Sequence, residues 1–117
     1  HVQAYPGGEL KHGPLALIEH DSLVAAMLTS DDLAEKFYAN LESVTARGAK
    51  LILFADTALN IPAKLGATVI KLPHIPEKIF TPLAYTIVMQ LLAYYVATDK
   101  GTDVDQPRNL AKSVTVE

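Results

Sequence analysis

Three short runs in this chain are apolar without alternation: Leu23–Leu28 (LVAAML), Lys50–Ala55 (KLILFA) and Thr68–Leu72 (TVIKL). A strand with one wet face alternates apolar and polar residues. A strand covered on both faces, as in a parallel sheet, reads as a continuous apolar run. Parallel strands cannot be joined by tight hairpins and need crossover connections. The first crossover is expected as a helix from about Asp32 to Arg47, with Leu33, Phe37, Leu41 and Val44 at helical spacing. Asp32 is placed to cap it, Glu35 stands at the capping-box position, and Gly48 supplies the stop.

The second crossover, Asp56–Gly66, contains Pro62 and room for a helical turn, and Pro73 closes the third strand. A long apolar helix is expected from about Pro76 to Thr98. Pro82 either kinks it or marks its true first turn, with Thr81 as cap. The first twenty residues are rich in Gly and Pro and read as a loop plus a short helical turn around Leu15–Ile18. Strand, helix, strand, strand, helix is the order of an α/β fold, a doubly wound αβα sandwich around a parallel sheet.

Half of the 117 residues are apolar, which suffices for a core with little reserve. Net charge is −3 with both signs interspersed, so the chain lacks the basic patch that a nucleic-acid or anionic-membrane surface needs. There are no cysteines, which excludes thiol catalysis, disulfides and thiolate metal sites and fits a cytoplasmic protein. The stretch Ile79–Ala97 is long enough for a membrane span. Thr81, Pro82, Thr86 and Gln90 interrupt it and basic flanks are absent, so no membrane is expected. The expectation is instead a helix apolar nearly all round, covered by the sheet on one side and by a partner subunit or further domain on the other. A start at HVQAYPGG, without methionine, leads us to expect a piece of a longer chain.

Two segments hold chemistry. In GGELKHGP, residues 7–14, Glu9, Lys11 and His12 lie within four positions framed by glycines and a proline. A histidine titrates near neutral pH and serves as acid or base. The plain alternative is a surface histidine in a turn. His20 and His74 stand at element boundaries, and the four histidines show no metal-ligand spacing, so no metal or cofactor is expected. The ending GTDVDQPRNLAKSVTVE has Asp103, Asp105 and Asn109 in an order close to a calcium loop. Pro107 occupies the fifth position and no glycine follows, which rules that loop out. Leu110, Val114 and Val116 suggest that the tail docks on something. A lysine on a docked tail, here Lys112, becomes an imine-forming nucleophile when desolvated. No P-loop or GxGxxG is present, and Thr29-Ser30-Asp31-Asp32 carries carboxylates that repel phosphate.

The string HVQAYPGGELKHGPLALI closely resembles a segment of the glutamine–fructose-6-phosphate aminotransferase (glucosamine-6-phosphate synthase) family, and LLAYYVATDKGTDVDQPRNLAKSVTVE looks like the C-terminal end of the same enzymes. The resemblance implies a sugar isomerase (SIS) fold, with residues 1–107 as the C-terminal part of a second SIS domain and 108–117 as an active-site tail. It implies the conversion of fructose 6-phosphate and glutamine to glucosamine 6-phosphate and glutamate, and a homodimer. By the same resemblance His12 opens the sugar ring in the neighbouring subunit's site, Lys112 forms an imine with the open ketose, and backbone near Ala111 touches the sugar. The phosphate cradle, the proton-shuttle carboxylate and the glutamine-hydrolysing domain would lie outside this chain, and Glu9 does not replace that carboxylate. Gln3 and Pro6-Gly7 depart from the family string, while LKHGP is intact. The alternative is a non-catalytic module of the same fold that senses a phosphosugar.

Overall fold

The computed structural model describes residues 2–106. It divides into two compact units meeting after Pro76. The first holds three strands, β1 (Leu23–Leu28), β2 (Lys50–Asp56) and β3 (Thr68–Leu72), all parallel in the order β1-β2-β3. The α/β class and the parallel sheet stand as read from the three apolar runs. Val24, Ala26 and Leu28 pair with Leu51, Leu53 and Ala55. These side chains share one face of the sheet, because side chains alternate across a strand.

Helix α1 (Ala34–Thr45) covers that face with Ala34, Tyr38 and Leu41, joined by Leu65 from a short helical turn over Ala63–Leu65. Leu53 and Val44 are fully buried. Both crossovers thus bring their helical residues to the same face, as expected when strands advance in one direction through right-handed connections. The helix begins two residues later than its sequence pattern suggests. Asp31, not Asp32, anchors its start by accepting the Leu33 amide at 2.8 Å, and no capping box forms. Leu33 then precedes the helix and is exposed, where core burial was expected. Gly48 stops the helix as expected: its φ of 81° is readily available only to glycine, and its amide donates to Thr45.

The expected burial of the strands also fails. β1 is not buried on both faces: Ala26 and Leu28 are buried, whereas Leu23 and Met27 are 67% and 48% exposed. β3 is exposed except at Leu72, Val69 and Ile70 included. An unalternating apolar run states that both faces suit an apolar environment. Whether both are covered depends on which elements reach them.

The second unit is built on α2 (Thr81–Asp99). Pro82 lies in its first turn, where a missing amide costs nothing, so it starts the helix rather than kinking it. Phe80 occupies the cap position without a side-chain bond, so Thr81 does not cap. The far end closes with Gly101 at φ 65°, its amide donating to Thr98 and that of Thr102 to Ala97, the paired bonds of a Schellman stop. Only Tyr85 of its 19 residues is buried. By length and composition α2 would pass for a membrane span, at a mean hydropathy of 1.5 over its apolar window. Thr86 and Thr98 satisfy their hydroxyls by back-bonding to Pro82 and Tyr94 within the helix.

Candidate functional site

His12 sits at the end of a 3-10 turn, Gly7–His12, and is exposed. The Glu9 amide donates to Pro6 at 2.9 Å and closes the first turn. Gly13 follows at φ 146°, ψ −52°, a backbone that side-chain-bearing residues rarely adopt. Pro14 opens a second short turn, Pro14–Leu17, within which Ala16 donates back to Gly13. Gly13 therefore separates the two turns immediately after His12, and Pro14 fixes the first backbone angle of the second.

The His12 turn is fastened to α1 at its entry. Asn40 Nδ2 donates to the Gly7 carbonyl at 2.9 Å, and the Phe37 ring packs against Gly7. Among the described residues no hydrogen bond holds the His12 ring itself. Lys112 and Ala111, the other two residues singled out from the sequence, lie outside the described residues. The segment leading towards them is organised by Asp103, whose Oδ1 accepts from the amides of Asp105 and Gln106 at 2.8 and 3.1 Å. That carboxylate is occupied by its own backbone in an Asx turn, and among the described residues no acidic–histidine cluster suits a metal ion.

A second polar constellation was not anticipated. The carboxyl ends of parallel strands are where α/β folds bind ligands. Here β2 ends in Asp56, which is buried, and β3 leads through Pro73 to His74. His74 Nδ1 lies 2.8 Å from Asp56 Oδ2, and Oδ1 accepts the Ala58 amide at 2.7 Å. An ionised carboxylate has no proton to share, so a neutral His74 carries its hydrogen on Nδ1 and leaves Nε2 as an acceptor. The His74 side chain is about half exposed. The sequence signal was weak, because Asp56 and His74 are 18 positions apart and only the β2–β3 register joins them.

Tyr38 is a titrating group clearly displaced from its ordinary range. Burial, with the Glu35 charge adding to it, pushes its phenol above the ordinary value. Its hydroxyl donates to the Asn60 carbonyl at 3.2 Å.

Comparison with known proteins places this geometry. Residues 1–99 match the SIS domain family model. All 117 residues align with glutamine–fructose-6-phosphate aminotransferases (isomerizing) of Pseudomonas putida and Legionella pneumophila strain Paris at 56% identity, and of Yersinia pestis at 54%. The chain spans 19% of the length of each of these relatives. Among solved structures it is similar to the C-terminal domain of glucosamine-fructose-6-phosphate aminotransferase from Francisella tularensis. That likeness has a TM-score of 0.80 at 45% identity and covers 91% of this chain and 30% of that one. The parallel sheet, the α1 crossover and the match over residues 1–99 together mean that this chain belongs to the SIS domain family.

Proposed function

We propose that this chain forms part of the isomerase region of an enzyme that converts fructose 6-phosphate and glutamine to glucosamine 6-phosphate and glutamate. Residues 1–107 then complete a second SIS domain and 108–117 form a tail over the active site. The observation that supports this most is the alignment of all 117 residues, at 54–56% identity, with aminotransferases of that name. The exposed ELKHGP turn on a fastened loop is compatible with a working imidazole.

His12 is the group that opens the sugar ring. Ring opening moves a proton from the anomeric hydroxyl to the ring oxygen, work suited to a neutral imidazole. Lys112 then condenses with the C2 carbonyl: the amine nitrogen bonds to C2, water leaves, and the resulting imine draws electrons so that C1 becomes acidic. Backbone near Ala111 contacts the sugar, and the closed tail keeps water from the intermediate. Glutamine hydrolysis, the phosphate cradle and the C1–C2 carboxylate belong to other parts of the enzyme. The enzyme works as a cytoplasmic homodimer in amino sugar synthesis, with His12 serving the neighbouring subunit's site.

The test is made in the full-length enzyme carrying this chain. Lys112→Ala is expected to abolish isomerisation while glutamine hydrolysis persists, as measured by glucosamine 6-phosphate and glutamate release. Retained isomerisation removes Lys112 from the role. The 117 residues alone are expected to be inactive, and turnover by them would contradict the division of labour.

A further inference from the structure

The His12 turn depends on α1 at two points three residues apart, and residues so spaced share a helix face. Asn40 holds the Gly7 carbonyl, and Phe37 fills the space beside the Gly7 α-carbon. A β-carbon on Gly7 would stand 1.8 Å from Phe37 Cε2 and 2.4 Å from Cδ2, so a larger residue there requires the Phe37 ring to shift. The same stretch of chain therefore meets a polar anchor and a shape constraint at its entry, five positions before the imidazole.

Nothing among the described residues orients the His12 ring by a direct hydrogen bond. Its direction is inherited from the backbone of the turn, and that backbone is set at one end by the Gly7 contact with α1 and at the other by the glycine-favouring backbone at Gly13. We propose that Asn40 and Phe37 are positioning residues for His12: they act on the reaction by fixing the turn that carries it. This rests on the reading of His12 as the ring-opening group. The physical basis is that proton transfer tolerates little misplacement, and a shift of about 1 Å in a reacting group can cost roughly a hundredfold in rate.

Five variants of the full-length enzyme test this. Asn40→Ala is expected to lower kcat for isomerisation of fructose 6-phosphate roughly ten- to a hundredfold. KM should stay within about twofold and glutamine hydrolysis should be unchanged, because substrate binding is not touched. On a His12→Ala background the same substitution should cost nothing further, since a residue acting only through another has no effect once that one is gone. A further, additive loss there overturns the proposal, as does an unaltered kcat in Asn40→Ala alone. Full isomerisation by His12→Ala would instead overturn the reading of His12 itself, so the two failures are distinguishable. Should Asn40→Ala fold poorly by thermal melting, Gly7→Ala serves in its place. It drives a methyl into the Phe37 ring and should lower kcat, and adding Phe37→Leu, which removes the outer ring atoms, should restore most of it. A Gly7→Ala enzyme with full kcat, or a loss that Phe37→Leu fails to relieve, overturns the proposal.

Discussion

Helices α1 and α2 are both rich in apolar residues, yet they stand in opposite states. α1 buries Ala34, Tyr38, Leu41 and Val44, and the opposite face of the helix carries Glu35, Lys36, Glu42 and Ser43. α2 has no charged face, with Thr86 and Gln90 its only polar side chains besides tyrosines between Pro82 and Ala97, and Ile79 and Phe80 just before it, with Leu83, Ile87, Leu91, Tyr94 and Tyr95 within it, are all around half exposed or more. Tyr94 and Tyr95 meet edge to face, with ring centroids 5.5 Å apart. The difference teaches which helix this chain satisfies from its own residues. An amphipathic stripe needs one partner and α1 finds it in β1 and β2. A helix apolar all round needs cover on several sides, and large contiguous apolar patches mark surfaces that other protein covers.

The comparison breaks most readily at the sheet. Leu53 is fully buried in the central strand against α1. Leu53→Ala should destabilise the chain by about 2–5 kcal/mol, through lost transfer free energy and the cavity left behind. Chemical denaturation reads this directly, and a loss under about 1 kcal/mol would mean that the α1 layer is loosely packed.

A smaller effect sharpens the α1 side. Tyr38→Phe removes the bond to Asn60 and should cost about 0.5–1.5 kcal/mol. The same tyrosine gives a pH dependence with a defined sign. Its folded pKa lies above the unfolded value of 10.0, so both states keep the proton below pH 10. Above it the unfolded chain loses its proton first, and stability falls as pH rises from 10 through the folded pKa. Tyr38→Phe should flatten that part of the profile in melts taken across the alkaline range. An unchanged alkaline slope would assign it to other groups.

On the α2 side the smallest effect on folding is expected. Leu91 is 49% exposed, and Leu91→Gln should change the stability of the isolated chain by no more than about 0.5 kcal/mol. Where the proposed homodimer uses this face, sedimentation of the same variant should show weaker self-association than the parent chain, and an unchanged profile removes α2 from that interface. A loss of several kcal/mol would place Leu91 in a core, and the contrast between the two helices would dissolve.

Strand positions were legible in the sequence to within a residue, because an unbroken apolar run bounded by turn residues admits few other readings. The helix stop at Gly48 was legible because glycine alone readily takes a left-handed backbone, whereas Pro82 left a kink and a first turn both open and the helix starts five residues later than the expected Pro76. The start of α1 was misjudged by two residues, since Asp32 and Leu33 form a turn held by Asp31 before the helix begins, a contact that helical spacing does not reveal. His12 was picked out by its neighbours in sequence. Its seat was not, because Gly7 and Asn40 are 33 positions apart and no periodicity links a loop to a helix face.

Sequence alone determined the α/β class, the three strands, the two helices and the exposed histidine turn. Each depends on backbone restrictions and apolar spacing that act over a few residues. Tertiary structure decided the rest: which face of β1 is covered, that Asp56 captures His74 across the β2–β3 register, and that the Phe37 ring packs against Gly7 where a β-carbon would displace it. Those outcomes turn on contacts between distant positions, made only once loop closure has brought the strands and α1 together.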